Sequence, residues 1–360
     1  MPTNALLGVL LHAIGGAAHG SFYVPLRKLR HWRWETGWLV QGCAAWLVAP
    51  WLVAMLTDTH PLKVLQHSPA SSMVLVYGFG MMWGFGSLTF GLTMRYLGMS
   101  LGMAVALGFC AAFGTLIPPL VEGRFGVLLT TASGWMLLAG VAVCLIGIGM
   151  CGYAGIRKEK EMTAAQKGVA ISEFSLIKGF LVATFSGIMS AGFAYGINWG
   201  KPIAAVATDM GAPDIFKNAP VFIVVMAGGF TVNCLWCLLL NWRNKSLGDY
   251  ITIRDEQGSC PANSAAVMKA NYLLAIVAGL IWYTGFFFYG MGSTKMGEYD
   301  FSSWSIHLAF VIMFSTLCGI LALEWKGVSR RTMHWVFFAI LVLMLSTIIT
   351  GYGNAWAAKN

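Results

Sequence analysis

Ten long apolar runs dominate this sequence, and they limit what the chain can fold into more than any other feature. Each run has about 20 residues or more, the length that an α-helix needs to cross the hydrocarbon core of a bilayer. Charged residues make up only 10% of the chain, whereas a soluble domain carries roughly 25%. The sequence therefore predicts an all-α membrane protein. We place the ten spans at residues 4–26, 36–57, 71–93, 97–120, 132–154, 174–199, 217–240, 270–292, 301–323 and 332–354.

The basic residues of the links alternate between the two sides of these spans. Most of the 23 Lys and Arg residues follow odd-numbered spans, for example in the segments 27–33, 157–178 and 243–269. Because positively charged links stay in the cytoplasm, we predict that both termini face outward. The net charge of +9 is then explained by this topology and by attraction to the anionic lipids of the bilayer. We do not expect nucleic-acid binding, since no basic region outside the spans is long enough to fold.

Two stretches of the chain resemble one another. A shift of 199 residues lays GMMWGFGSLTFGLTMRYLG (80–98) over GLIWYTGFFFYGMGSTKMG (279–297). We therefore predict two five-helix repeats, 1–156 and 174–360, joined by a cytoplasmic link at 157–173. The shift pairs Gly80 with Gly279, Trp83 with Trp282, Gly86 with Gly285, Gly91 with Gly290, and Gly98 with Gly297. A weaker match, at a shift of 172, pairs Gly15 with Gly187 and Gly20 with Gly192.

The odd number of spans in each repeat indicates a function. With five spans, the second copy enters the membrane in the opposite direction, and such inverted repeats are the architecture of secondary transporters. No GxxxxGK[ST] sequence occurs, so ATP is not the expected energy source. A membrane enzyme is the rival class, but it would need a constellation such as HExxH or paired acids within a span, and the sequence has neither. A receptor would need a larger extramembrane domain.

Four strings carry a resemblance to a known family over essentially the whole chain. They are FYVPLRKLRHWRWET (22–36), MMWGFGSLTFGLTMRYLGMSLG (81–102), GTLIPP (114–119) and YDFSSWSIH (299–307). The chain resembles the L-rhamnose–proton symporters of the drug/metabolite transporter superfamily. The resemblance implies ten spans in a bacterial inner membrane and uptake of L-rhamnose with a proton, without a cofactor. One departure is the link 242–269, whose DEQGSCPANS stretch does not match the family pattern.

The same fold leaves another substrate open. One altered side chain in a pocket can change the sugar, so a transporter of another sugar or metabolite, or an exporter, is the alternative. The oligomeric state is not indicated by the sequence.

A deoxysugar site needs paired donors and acceptors together with aromatic walls, and polar side chains within spans are costly unless they are used. His12 and His307 lie at similar depths, and Asn198 lies near the outer end of its span. Each of the candidates also fits a purely structural role, as a hydrogen-bonded or packed residue between helices. The predicted sugar-binding residues are His12, Trp83, Tyr195, Asn198, Asn233, Trp282 and His307, with His19, Gln41 and Tyr283 as weaker candidates.

Proton coupling needs a group that titrates as the site changes its exposure. Histidine is the best carrier, because its unperturbed pKa lies near 6.5. We predict that His12 or His307 takes the proton and that Asp300 raises the local proton affinity. Glu35 is a further candidate, although it follows a basic run and is also explained by pairing with it.

Overall fold

The chain is described by a computed structural model that covers residues 4–57, 59–97, 99–161, 176–254, 259–260, 262–323 and 325–357. Within these ranges the regular structure is helical, and there is no β-strand. We number the long helices α1 to α10 in chain order. They are α1 Ala5–Leu26, α2 Trp34–Leu56, α3 Ala70–Leu97, α4 Met99–Val121, α5 Ala132–Glu161, α6 Ile177–Asp209, α7 Ala219–Asn244, α8 Ser264–Ser293, α9 Ser303–Leu321 and α10 Arg330–Ala357.

Nine helical segments of the described residues are long and apolar enough to cross a membrane. The prediction of an all-helical membrane protein is therefore confirmed. Helix α4 is the exception in the series, because the apolar part that is described covers only Val105–Val121. Its last turns contain Pro118 and Pro119.

Helix α6 is longer than the sequence analysis predicted. It continues past residue 199, where we placed the end of the sixth span, with the helical segment Lys201–Asp209. Pro202 lies in the first turn of this segment. A proline there loses no hydrogen bond, since the first N–H groups of a helix have no partner within it, and it starts a helical turn rather than ending one.

The predicted link between the two repeats and one glycine of the repeat match are described only in part or not at all. Helix α5 runs to Glu161, so the predicted link 157–173 is helical at its start. The rest of that link, as well as Gly98 of the repeat, lies outside the described residues.

The helices pack as two matching groups. Helix α1 lies against α8 and α9, whereas α6 lies against α3 and α4, and α5 packs along α10. Glycines allow this close approach: a Cβ at Gly16 would collide with Phe310 of α9, and one at Gly80 would collide with the Val225 carbonyl of α7. Small residues at such crossings let helices in lipid pack closely.

Helix α2 is irregular at its centre. Six of its residues, Cys43–Val48, form a π-helix, and Pro50 follows in the next turn. Pro50 has no N–H to donate to the Trp46 carbonyl, and its ring clashes with that carbonyl in a regular α-helix. The wider turn relieves this clash.

Candidate functional site

Three histidines meet in the middle of the bundle. His19 Nδ1 and His307 Nε2 lie 2.8 Å apart, joined by a hydrogen bond between α1 and α9. The His12 ring centroid lies 6.0 Å from that of His307. All three side chains are buried. His12 and His19 are seven residues apart, close to two turns, so they share one face of α1.

Helix α8 provides an aromatic wall for this histidine cluster, which we define as His12, His19 and His307. The Tyr289 ring lies 5.5 Å from His12 and 5.3 Å from His307, centroid to centroid. The Phe286 ring lies 4.3 Å from that of His19. The sequence analysis did not identify either residue. Their positions four and seven residues after Trp282, on one face of a helix, are the signal that would have found them.

The two repeat-related tryptophans touch each other. The rings of Trp83 and Trp282 stack at 5.5 Å with an interplanar angle of 28°. Trp46 lies edge-on to both of them, at 5.9 Å and 5.5 Å. Trp282 also contacts His19, with centroids 5.4 Å apart. The stack therefore forms one wall of the histidine cluster, at the centre of the helix bundle.

Several buried polar atoms in this region have no hydrogen-bond partner among the described residues. Buried polar groups in proteins are nearly always paired, so each exception calls for an explanation. A polyhydroxylated ligand would supply donors and acceptors to all of them. The atoms are both ring nitrogens of His12, His19 Nε2, His307 Nδ1, both side-chain amide atoms of Gln41, Trp46 Nε1 and the Tyr283 hydroxyl.

A cavity of about 540 Å³ leads toward the histidine cluster from the bundle end that is predicted to face outward. Its volume falls in the range of small-molecule sites. Tyr289 lines this cavity and also contacts His12 and His307, so it separates the cavity from the cluster. The polar lining includes Asn198, Lys201, Asn218 and Asp300.

Two of the predicted residues lie at this cavity rather than at the histidines. The Asp300 carboxylate lies 3.1 Å from the Lys201 ammonium. The Asn198 amide donates to Glu122 Oε1 at 2.6 Å.

Tyr195 and Asn233 lie outside the histidine cluster. The Tyr195 hydroxyl donates to the Phe113 carbonyl at 3.1 Å. Asn233 accepts a hydrogen bond from Trp38 Nε1 at 3.1 Å and donates to Ser87 Oγ, also at 3.1 Å.

Glu35 lies at the opposite end of the bundle. Its Oε1 accepts hydrogen bonds from Asn244 at 2.9 Å and from Ser246 Oγ at 2.7 Å. The neighbouring Thr36 hydroxyl donates to Asp249 at 3.3 Å. These bonds tie the start of α2 to the end of α7 and the loop after it, and they close the predicted cytoplasmic end. The structure therefore brings Glu35 together with this closure and not with the histidines.

The donor set does not resemble a metal centre. Among the described residues, no group of three or more His, Cys, Asp or Glu side chains is placed to hold a metal ion. The histidine cluster instead presents ring nitrogens to one another and to the aromatic wall.

The sequence of the chain matches one family from end to end. The family described as L-rhamnose-proton symport protein (RhaT) matches residues 1–356. An L-rhamnose-proton symporter of Cronobacter sakazakii is 36% identical over 355 residues, which cover 98% of this chain and 99% of the relative. One of Yersinia pestis is 35% identical over 356 residues, covering 99% and 100%. The chain belongs to the L-rhamnose–proton symporter family. The resemblance stated from the sequence is thus confirmed.

Membership of the L-rhamnose–proton symporter family places the chain among transporters and not among enzymes. The match to the family includes every part of the site described above: the histidine cluster, the tryptophan stack, the cavity and the closed end. A relative of Yersinia pseudotuberculosis, also named L-rhamnose-proton symporter, matches at 35% identity over the same length.

Proposed function

We propose that this protein imports L-rhamnose together with a proton across a bacterial inner membrane, by alternating access. The observation that carries the proposal is the buried histidine cluster with unpartnered ring nitrogens, next to a cavity that Tyr289 also lines. The end-to-end match to L-rhamnose–proton symporters supports both the sugar and the ion.

Within this proposal, His12 and His307 bind sugar hydroxyls and one of them carries the proton. Trp83 and Trp282 present ring faces to the apolar face of the sugar, as aromatic side chains do in many ligand sites. Asn198 and Asp300 act at the cavity, where Asp300 raises the local proton affinity. Tyr195 and Asn233 contribute to sugar binding from the helices around the histidine cluster. Glu35 contributes to proton coupling through the hydrogen bonds that close the opposite end.

The fold we propose is ten transmembrane helices in two inverted five-helix repeats, the drug/metabolite transporter fold. Matching contacts support it. A Cβ at Gly285 would collide with His19 of α1, and one at Gly86 with Ser190 of α6. A Cβ at Gly16 would collide with Phe310 of α9, and one at Gly187 would meet Phe109 of α4.

These contacts also set the register between α1 and α6. They pair Gly16 with Gly187 and His19 with Ser190, which is one residue away from the pairing of Gly15 with Gly187 that the sequence match favoured. The stacking of Trp83 on Trp282 fits a pseudo-twofold axis at the centre, since equivalent residues can touch only near such an axis.

In the proposed orientation both termini face the periplasm. The cavity then opens outward, and the closed end with Glu35 and Asp249 faces the cytoplasm. The basic segments 27–33 and 243–254 lie at this closed end, as the positive-inside rule requires. The conformation described is thus the one that would accept sugar from outside.

The energetics are sufficient for accumulation. A neutral sugar that moves with one proton carries one positive charge, and each 100 mV of membrane potential then supplies about 2.3 kcal/mol. That free energy supports roughly fifty-fold accumulation before any pH gradient is added.

The proposal is tested by following external pH in a lightly buffered suspension of energy-depleted cells that express the protein. L-rhamnose should make the medium more alkaline, whereas other sugars should not. No change with any sugar, in cells whose membranes contain the protein, would contradict the proposal. That result would favour the alternative of another substrate or of export.

A further inference from the structure

Gln41 of α2 is a buried polar side chain to which the proposed function assigns no step. It is fully buried, and neither its amide nitrogen nor its amide oxygen has a hydrogen-bond partner among the described residues. A primary amide can donate two hydrogen bonds and accept two. Burying it without partners costs free energy, and such a cost is typical of positions that a ligand completes.

Trp46, one and a half turns further along α2, is also a buried side chain with an unpartnered polar atom. Its side chain is 2% exposed, and its Nε1–H lacks an acceptor in the described part of the chain. It lies in the π-helix Cys43–Val48. Single π-turns within α-helices occur frequently at functional sites.

The position of Gln41 along the path is fixed by its contact with α8. A Cβ at Gly279 would lie only 2.5 Å from the Gln41 carbonyl oxygen, so the two helices touch there. Gly279 is nearly one turn nearer than Trp282 to the start of α8, the end that holds the closure around Glu35. Gln41 therefore lies between the tryptophan stack and that closure, whereas the histidine cluster lies on the other side of the stack.

The polar neighbours of this region come from three helices. Trp38 of α2 contacts the Trp46 ring at 6.0 Å and donates to Asn233 of α7. Asn233 donates in turn to Ser87 of α3. A sugar that leaves the stack toward the cytoplasm would pass hydrogen-bonding groups and not a purely apolar plug.

We infer that Gln41 and Trp46 form a second L-rhamnose-binding layer, which holds the sugar when the cytoplasmic end is open. The Gln41 amide binds two neighbouring hydroxyls, one as donor and one as acceptor, and the Trp46 indole donates to a third. This inference rests on the proposed function. It assigns the two ends of the path to different side chains: the histidine cluster to sugar from outside, and Gln41 with Trp46 to sugar facing inward.

The test compares the two faces of the membrane. Right-side-out and inside-out vesicles are prepared from the same cells, and entry of labelled L-rhamnose is measured without ion gradients. With Gln41→Leu we expect the half-saturation concentration at the cytoplasmic face to rise about tenfold, the effect of losing one or two hydrogen bonds. At the outer face it should change by less than about twofold. Trp46→Phe keeps the ring, removes only the N–H, and should shift the same face by about threefold.

Asn354 of α10 offers a matched control. It is a buried amide whose Oδ1 also has no partner among the described residues, but its nitrogen donates to Ser302 Oγ and to the Thr350 carbonyl, away from α2. Asn354→Leu should lower the amount of inserted protein and leave both half-saturation concentrations unchanged.

The outcomes separate the inference from the function beneath it. Equal changes of the half-saturation concentration at both faces would overturn the second layer. So would the absence of any change at either face in both Gln41→Leu and Trp46→Phe, which is the result expected if a trapped water bonds to these side chains. Should Gln41→Leu fail to insert, Trp46→Phe decides alone. If the wild-type protein takes up no L-rhamnose from either face, the proposed function fails and the inference with it.

Discussion

The histidine cluster, where α1 meets α8 and α9, has a counterpart where α6 meets α3 and α4. In the register of the proposed repeats, His12 corresponds to Ala183 and His307 to Ala106. The counterpart is an apolar cluster of Ala106 and Ala183, against which Phe90 packs. Phe90 occupies the place that corresponds to Tyr289.

The two regions therefore share a packing frame but not a chemistry. Three buried imidazoles fill the frame between α1, α8 and α9, whereas alanine methyl groups, a phenyl ring and the Ser190 side chain fill it between α6, α3 and α4. An inverted repeat makes the outward and inward conformations similar in shape. Under the proposed function, the difference between the clusters assigns proton coupling to the contact of α1 with α8 and α9, while the proposed repeat accounts for the movement.

The largest effect should come from the histidine whose ring contacts both others. In His307→Gln we expect L-rhamnose accumulation to fall from roughly fifty-fold to about the external concentration, because the coupling group is lost. Exchange of sugar down its own gradient should continue. Uptake into energised vesicles measures both, and Ala106→Ser at the corresponding position is the control. Accumulation that persists in His307→Gln would show that the proton is carried elsewhere.

The second prediction compares a leucine at corresponding positions of the two clusters. Ala183 is fully buried, so Ala183→Leu should lower the free energy of unfolding by about 1–3 kcal/mol through overpacking, with the proton-to-sugar ratio unchanged. His12→Leu should raise the free energy of unfolding, because it removes two unpartnered buried nitrogens. It should also lower the proton-to-sugar ratio, because it removes a coupling candidate. Thermal unfolding in detergent and coupled pH recordings give the two quantities. A coupling defect in Ala183→Leu would contradict the division of labour.

Adding one methyl group at each of the paired glycines of α3 and α8 compares the two clusters. A Cβ at Gly285 would collide with the His19 ring, whereas one at Gly86 would collide with Ser190. We expect both alanine variants to lose stability by about 1–3 kcal/mol. Only Gly285→Ala should also weaken proton coupling, by about tenfold in accumulation, because it displaces His19 from His307. Equal coupling in the two variants would argue against a role for the His19–His307 bond.

The smallest effect is expected at the mouth of the cavity. The Lys201–Asp300 pair has side chains that are 49% and 28% exposed, and exposed ion pairs contribute only about 0.2–1 kcal/mol. Lys201→Gln should thus change stability little and leave coupling intact. Asp300→Asn should shift the pH optimum of uptake to lower pH, if Asp300 raises proton affinity as proposed. Identical pH profiles for Asp300→Asn and the wild type would remove Asp300 from the coupling scheme.

The features that sequence alone predicted well are those set by the bilayer. Run length and low charge predict long apolar helices because lipid cannot hydrogen-bond to the backbone. Depth along a span could also be estimated, so that His12 and His307 were expected at similar levels. Trp83 and Trp282 were paired by their glycine neighbours, and the structure stacks them.

What the sequence could not supply was the rotation of each helix about its axis. Tyr195 looked like a site residue by type, but its hydroxyl faces the Phe113 carbonyl. His19 was a weak candidate, yet it bonds directly to His307. Hydrophobic periodicity does not reveal these rotations, because a helix surrounded by lipid and other helices is apolar on every side.

The central claim is that the histidine cluster between α1, α8 and α9 couples the proton to the sugar. It is tested most directly by the pH dependence of L-rhamnose uptake in the double variant His12→Gln, His307→Gln, compared with the wild type at equal amounts of inserted protein. The account predicts that uptake by the double variant is independent of external pH. The pH dependence of the wild type, retained in the double variant, would contradict it.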